Sequence, residues 1–185
     1  MVEIEVKLRV GRTADVESRL RVLGAYLESP RELEDDVLFD FPDRRLTAAG
    51  SMLRLRRRKG CAILTLKEPI ATDLGAKVRR ETESEVGDHD AMGVIVAGLG
   101  MIPIWRYQKQ RTTYRLGGLH ALVDELPIGN FLELEGPKAE IDRWAGALGF
   151  SPQDYVLDTY RDLHEAWRRE HGEPEGPMVF PEAGA

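Results

Sequence analysis

The chain has 185 residues, 42% of them hydrophobic, a composition ordinary for one globular domain with a real core. No stretch approaches the roughly 20 apolar residues of a membrane helix, and the N-terminus lacks the basic-then-apolar run of a secretory signal, so a cytoplasmic protein with no membrane partner is expected. A net charge of −6 argues against nucleic acid as a partner, and the single cysteine, Cys61, offers neither an internal disulfide nor a zinc cluster.

Taken in order, Met1 to Val10 alternates Ile4, Val6 and Leu8 with Glu3, Glu5, Lys7 and Arg9, the period of a strand. From Thr13, Val16, Leu20, Leu23 and Leu27 recur at helical spacing. A short strand is expected within Glu34 to Phe41, then loop or one helical turn up to Ser51. Met52 to Arg58 and Cys61 to Lys67 form a hairpin around Lys59 and Gly60, and after a polar loop Lys77 to Val86 reads as the next strand. Asp88 or Asp90 caps a short helix carrying Met92, Ile95, Val96 and Leu99. Trp105 to Leu116, Leu119 to Glu125 and Phe131 to Glu135 are three strands in meander order with turn residues at each corner. Pro137 opens a helix burying Ile141, Trp144 and Leu148, and Ser151 with Pro152 opens another with Val156, Tyr160, Leu163 and Trp167. One domain over 1–171 is expected, followed by a disordered tail, rich in Gly, Pro and Glu, over 172–185.

The polar face of these strands is densely charged. Glu3 and Glu5, Glu81 and Glu83, and Glu133 and Glu135 are carboxylate pairs at i, i+2, where like charges share one strand face and repel. Lys7, Arg54, Arg56, Lys67, Arg79, Lys109 and Arg111 share that parity. Simple cross-strand salt bridges on a solvated face would satisfy both sets, yet ordinary exposed strand faces favour Thr, Val and aromatics over such dense charge. With the sheet closed and these faces inward, the interior offers carboxylates to hard divalent ions and guanidinium and ammonium groups to phosphate oxygens. A P-loop, a dinucleotide glycine fingerprint and a nucleophile elbow are all absent from the sequence.

The order of these residues resembles the CYTH superfamily, the triphosphate tunnel enzymes. Its ExExK is matched by Glu3, Glu5 and Lys7, its RxR by Arg54 and Arg56, and its strand-ending lysine by Lys67. RxExE is matched by Arg79, Glu81 and Glu83, KxR by Lys109 and Arg111, the aspartate by Asp124 and ExE by Glu133 and Glu135. Glu68 departs from the pattern, which has glycine after the lysine. The resemblance implies an α+β fold: a closed antiparallel β barrel of about eight strands forming a charged tunnel, with helices packed outside. It implies Mg²⁺ or Mn²⁺ held by Glu3, Glu5, Glu81, Glu83, Asp124, Glu133 and Glu135. Lys7, Arg54, Arg56 and Lys67 become the catalytic cations, and Arg79, Lys109 and Arg111 the substrate-binding ones. Glu85 and Arg58, near strand ends, are read as solvated, His120 as a rim residue, and Tyr160 as packing rather than catalysis.

The implied function is metal-dependent hydrolysis of a triphosphate, whether inorganic triphosphate, thiamine triphosphate or ATP. The alternatives are a class IV adenylyl cyclase making cyclic AMP and pyrophosphate from ATP, and a non-catalytic polyanion-binding module. Hydrolase is preferred to cyclase because it asks less of the site, and intact carboxylate pairs disfavour the binding module. Monomer and homodimer remain equally open.

Overall fold

The computed structural model describes residues 1–181. Eight antiparallel strands close on themselves: β1 (Val2–Val10), β2 (Tyr26–Asp40), β3 (Met52–Arg58), β4 (Cys61–Pro69), β5 (Lys77–Val86), β6 (Ile102–Leu116), β7 (Leu119–Leu126) and β8 (Gly129–Glu135). Round the barrel the order is β5-β4-β3-β2-β6-β7-β8-β1, and β1 meets β5 to complete the ring. That last seam is short, running only from Val2 opposite Arg80 to Glu5 opposite Lys77. Beyond it the same edge of β1 takes a two-residue strand, β9 (Tyr155–Val156), against Lys7 and Leu8. Closure removes the free edges that an open sheet would expose.

Both faces of the wall are buried, for opposite reasons. Outward residues Val6, Leu8, Leu119, Ala121, Leu132 and Leu134 pack under Val16 and Leu20 of α1 (Thr13–Val22) and Ile141 and Ala145 of α4 (Lys138–Ala147). A second cluster joins Leu38, Tyr107 and Phe131 to Tyr160 and Leu163 of α5 (Tyr160–His171), and a third sets Phe39 and Leu55 under Val96 of α3 (His89–Gly98). The inward parity carries the charge. Among the described residues, no helix is long and apolar enough to cross a membrane.

Three elements differ from their sequence-based expectation, and the 43–51 segment takes the second of the two forms expected of it. β2 spans fifteen residues rather than the eight from Glu34, because its polar first half pairs along β6 in spite of three register shifts. The 43–51 segment contains one helical turn, α2 (Arg45–Ala48), anchored by buried Asp40, which accepts from the amides of Phe41, Leu46 and Thr47. Ser151 and Pro152 open only a 3₁₀ turn, since Tyr155 and Val156 are drawn into pairing with β1. Helix α5 begins afresh at Tyr160 behind Thr159, whose side chain and that of Asp162 form a reciprocal capping box.

The third difference is the tail, expected to be disordered from Gly172. Met178 is 1% exposed, and its amide and carbonyl bond to the carbonyl of Arg106 and the amide of Gln108 on β6. The apolar run Met178, Val179 and Phe180 anchors an otherwise polar tail, because the β6 edge below β7 is unpaired and an apolar recess lies beside it; the Phe180 amide also donates to the Gln108 side chain. The remainder of the expected tail, 182–185, lies outside the described residues. Met178→Ala is expected to destabilise the protein by about 2–4 kcal/mol in urea unfolding, where a disordered tail would give no change.

Candidate functional site

The strands present Glu3, Glu5 and Lys7 from β1, Arg54 and Arg56 from β3, Lys67 from β4, Arg79, Glu81 and Glu83 from β5, Lys109 and Arg111 from β6, Asp124 from β7, and Glu133 and Glu135 from β8. The pleat and the register turn them inward, and a cavity of about 420 Å³ opens among them. Glycine at 136 lets β8 end hard against the β7 start: at φ 157°, an added Cβ would come within 2.8 Å of the Leu119 Cβ.

The residues sort into groups by partner. At the core of the barrel, Arg56 is held by Asp36 through a fork at 2.8 and 3.2 Å and by Glu34 at 2.8 Å. Lys109 bridges Glu34 at 3.4 Å and Asp124 at 3.2 Å. Arg111 forks onto Asp124 at 2.6 Å through each of two nitrogens and also pairs with Glu133. Tyr160 donates its hydroxyl to Asp124 at 2.8 Å and presents its ring to the Lys7 ammonium, 4.3 Å from the centroid. Lys7 pairs with Glu133 at 3.3 Å. Burial opposes ionisation of Glu34 and Glu133, but Arg56 and Lys7 respectively, with their cationic neighbours, outweigh it and hold both carboxyls well below the usual range.

A second group is less satisfied. Oxygens of Glu3, Glu5 and Glu135 lie within 4.8 Å of one another. Burial, with Glu3, Glu133 and Glu5 close by, pushes the Glu135 carboxyl up to about 8 in spite of Arg111, and burial also raises Glu3 against the pull of Lys67. Lys67 pairs with Glu3 at 3.0 Å and with Glu81. Three converging carboxylates that repel when ionised fit a hard divalent cation, which takes oxygen ligands and supplies the missing positive charge.

The third group lines the cavity as cations. Lys77 donates to the carbonyl of Asp158 at 2.7 Å and lies 3.9 Å from Glu5; burial and then Lys7 bring its ammonium down to about 8. Arg54 contacts Thr65 at 3.2 Å and Glu83 at 3.4 Å. Arg79 makes no ion pair or side-chain hydrogen bond among the described residues. The cavity wall as a whole carries eight basic side chains against five carboxylates, an excess that favours an anionic ligand.

The structure therefore separates the sequence-proposed metal ligands. It gathers Glu3, Glu5 and Glu135, puts Glu81 beside them through Lys67, and commits Asp124 and Glu133 to lysine and arginine partners. Glu83 stands apart, its side chain 45% exposed and bonded to Thr65 and Arg54. Arg56, Glu3, Glu81, Glu83 and Asp124 do not line the cavity itself. Glu68 lies on the outer face opposite Arg80, away from the cavity side of Lys67. Sequence reasoning passed over Glu34, Asp36 and Lys77, although all three share the inward parity of their strands, and took Tyr160 for packing alone. It packs against Phe131 and also hydrogen-bonds Asp124.

Two outcomes test this sorting. In the metal-free protein the native state keeps a proton on Glu135 that the unfolded chain loses near pH 4.5. Stability is thus full below that pH and falls as pH rises towards 8. Glu135→Gln is expected to flatten the decline when thermal unfolding is followed from pH 5 to 9 in a chelator. Asp36→Ala leaves Arg56 buried with a single carboxylate, and urea unfolding should report a loss of about 3–5 kcal/mol.

The CYTH domain model matches residues 1–160. No curated protein sequence matches the chain. Among solved structures, a Vibrio parahaemolyticus protein provisionally assigned as an adenylate cyclase superposes with a TM-score of 0.80 at 20% identity, over 89% of this chain and 98% of that one. A Pyrococcus horikoshii OT3 protein gives 0.76 at 27% identity, over 87% and 98%. A Hippeastrum protein, first assigned as an adenylyl cyclase and described as having dominant triphosphatase activity, gives 0.63 at 17% identity, over 94% and 97%. With a barrel closed in the same way and the domain match running from the first residue through Tyr160, the chain belongs to the CYTH family.

Proposed function

We propose that the protein is a cytoplasmic, metal-dependent enzyme that hydrolyses a triphosphate inside the barrel. The observation that carries this reading is the pairing of an under-neutralised carboxylate cluster, Glu3, Glu5 and Glu135, with a cavity wall in cationic excess. Bound at those carboxylates, Mg²⁺ or Mn²⁺ would neutralise phosphate oxygens and help orient the phosphoryl group for in-line attack.

The chain's own residues supply the rest. Arg79, with its fork uncommitted, offers bidentate recognition of phosphate, and Lys67 and Lys77 add point charges on the same side of the barrel. Lys7 and Arg54 extend the cationic track inward. Lys109, Arg111 and Arg56 already have partners and act by holding Asp124, Glu133, Glu34 and Asp36 in place, so that the interior stays rigid as phosphate charge develops. Water attack on the terminal phosphorus breaks the bridging P–O bond, releasing orthophosphate and a diphosphate. The same clamp would serve a ribose 3′ hydroxyl attacking the α phosphorus of ATP; the Hippeastrum neighbour, described as predominantly a triphosphatase, favours hydrolysis.

Products identify the reaction. Incubated with ATP, inorganic triphosphate and thiamine triphosphate in Mg²⁺ or Mn²⁺, the protein is expected to give orthophosphate by phosphorus NMR, whereas cyclic AMP with pyrophosphate would make it a cyclase. Glu5→Gln should lower kcat by 100-fold or more without lowering the melting temperature, because it relieves repulsion within the cluster. Unchanged turnover would remove Glu5 from the metal site.

A further inference from the structure

Three neighbouring strands change character at one end of the barrel. Followed along their inward positions, β2 passes from Glu34 and Asp36 to Leu38, β3 from Arg56 and Arg54 to Met52, and β6 from Arg111 and Lys109 to Tyr107 and Trp105. The register aligns the changes: Leu38 lies opposite Arg54 on one side and opposite Trp105 on the other. Between Leu38 and Phe39 the pairing with β6 slips, leaving Ile104 as an extra residue, and Ile104 and Trp105 both line the cavity. The Trp105 ring is stacked on Tyr107 with centroids 4.7 Å apart.

This apolar wall faces the cationic one. β6 lies four strands from β5 in either direction round the ring, so Trp105 stands across the cavity from the side that carries Lys77 and Arg79. The charges that α5 adds near this end, Arg161 and Glu165, pair with each other at 3.0 Å. Arg54 beside Leu38 and Lys67 beside Met52 mark where the cationic side begins. A phosphate placed against Ile104 and Trp105, beyond that margin, would lose its hydration without a cation beside it, whereas a flat uncharged ring would bury apolar area there.

We infer that the cavity is built for an organic triphosphate, its phosphates against Lys67, Lys77 and Arg79 and a heteroaromatic group on the wall of Leu38, Met52 and Trp105. Trp105 then determines specificity for a ring-bearing substrate over inorganic triphosphate. The inference rests on the cavity being a triphosphate site.

The test compares kcat/KM for inorganic triphosphate, ATP and thiamine triphosphate on the intact protein with Mg²⁺, alongside competition binding of each. At least one ring-bearing probe is expected to exceed inorganic triphosphate by tenfold or more. Trp105→Ala should cut that ratio about tenfold and Trp105→Phe should restore most of it, since stacking tolerates a change of ring. Met52→Ser reads the same wall from another strand should Trp105→Ala fold poorly, and should lower the ratio in the same sense. Inorganic triphosphate as the best substrate, or a ratio unmoved by both variants, would overturn the specificity inference while leaving the triphosphate site standing. Failure of all three probes to bind or turn over would overturn the triphosphate site and this inference with it.

Discussion

The barrel exists only because charges that point into it are answered there. Each ion taken out of water costs several kcal/mol unless opposite charge and hydrogen bonds replace its hydration. Arg56, 6% exposed, finds three carboxylate contacts on Glu34 and Asp36; Lys109, at 2%, finds Glu34 and Asp124. These pairs cross from strand to strand, joining β3 to β2, β2 to β6, and β6 to β7 and onward to β8. The ion pairs thus run with the hydrogen-bond ladder. A slip of one residue on any of these strands would turn its charges into the apolar sheath under α1, α3 and α4, so the network fixes register as firmly as the core does.

That sheath explains how a small domain tolerates a charged interior. Leu8, Leu119, Leu132 and Leu134 are each 0% exposed although they lie on the outside of the wall. The hydrophobic core that usually fills a small barrel is here displaced to its exterior, where amphipathic helices cover it, and the lumen is left to charged side chains.

Much of this was legible in the sequence because strand parity is a two-state variable. Once Ile4, Val6 and Leu8 alternate with Glu3, Glu5 and Lys7, the only question is which set faces inward, and the carboxylate pairs on β1, β5 and β8 answer it. The reading failed where local pattern is not what decides. β2 is longer than its pattern suggests because Leu27 also fits the helical spacing of the preceding segment, and Glu28 to Glu32 is polar and is held by β6 rather than by its own periodicity. Tyr160 looked like a packing residue because helical spacing cannot report a hydroxyl 2.8 Å from Asp124, thirty-six positions away in the chain. Likewise, parity placed Asp124 and Glu133 on the same face as Glu3 and Glu5, but no sequence pattern says which cation each carboxylate meets first.

That last distinction carries the chemistry. Within one charged lumen, some carboxylates are already bonded to arginine, and others are crowded by carboxylates of their own kind. Asp124 and Glu133 belong to the first kind, Glu3 and Glu135 to the second. The bases divide in the same way, Arg56 and Arg111 being committed and Arg79 uncommitted. Lys7 and Lys77 stand between, both bonded to the carbonyl of Asp158 just before α5, at 3.3 and 2.7 Å. That shared carbonyl ties the start of α5 to the cationic wall, next to the short seam where β9 takes over from β5. The segment 155–160 is therefore as much part of the site as the strands: it completes the barrel edge, positions Tyr160 over Lys7, and takes one contact from each of two ammonium groups, fixing their place while leaving their other donors free.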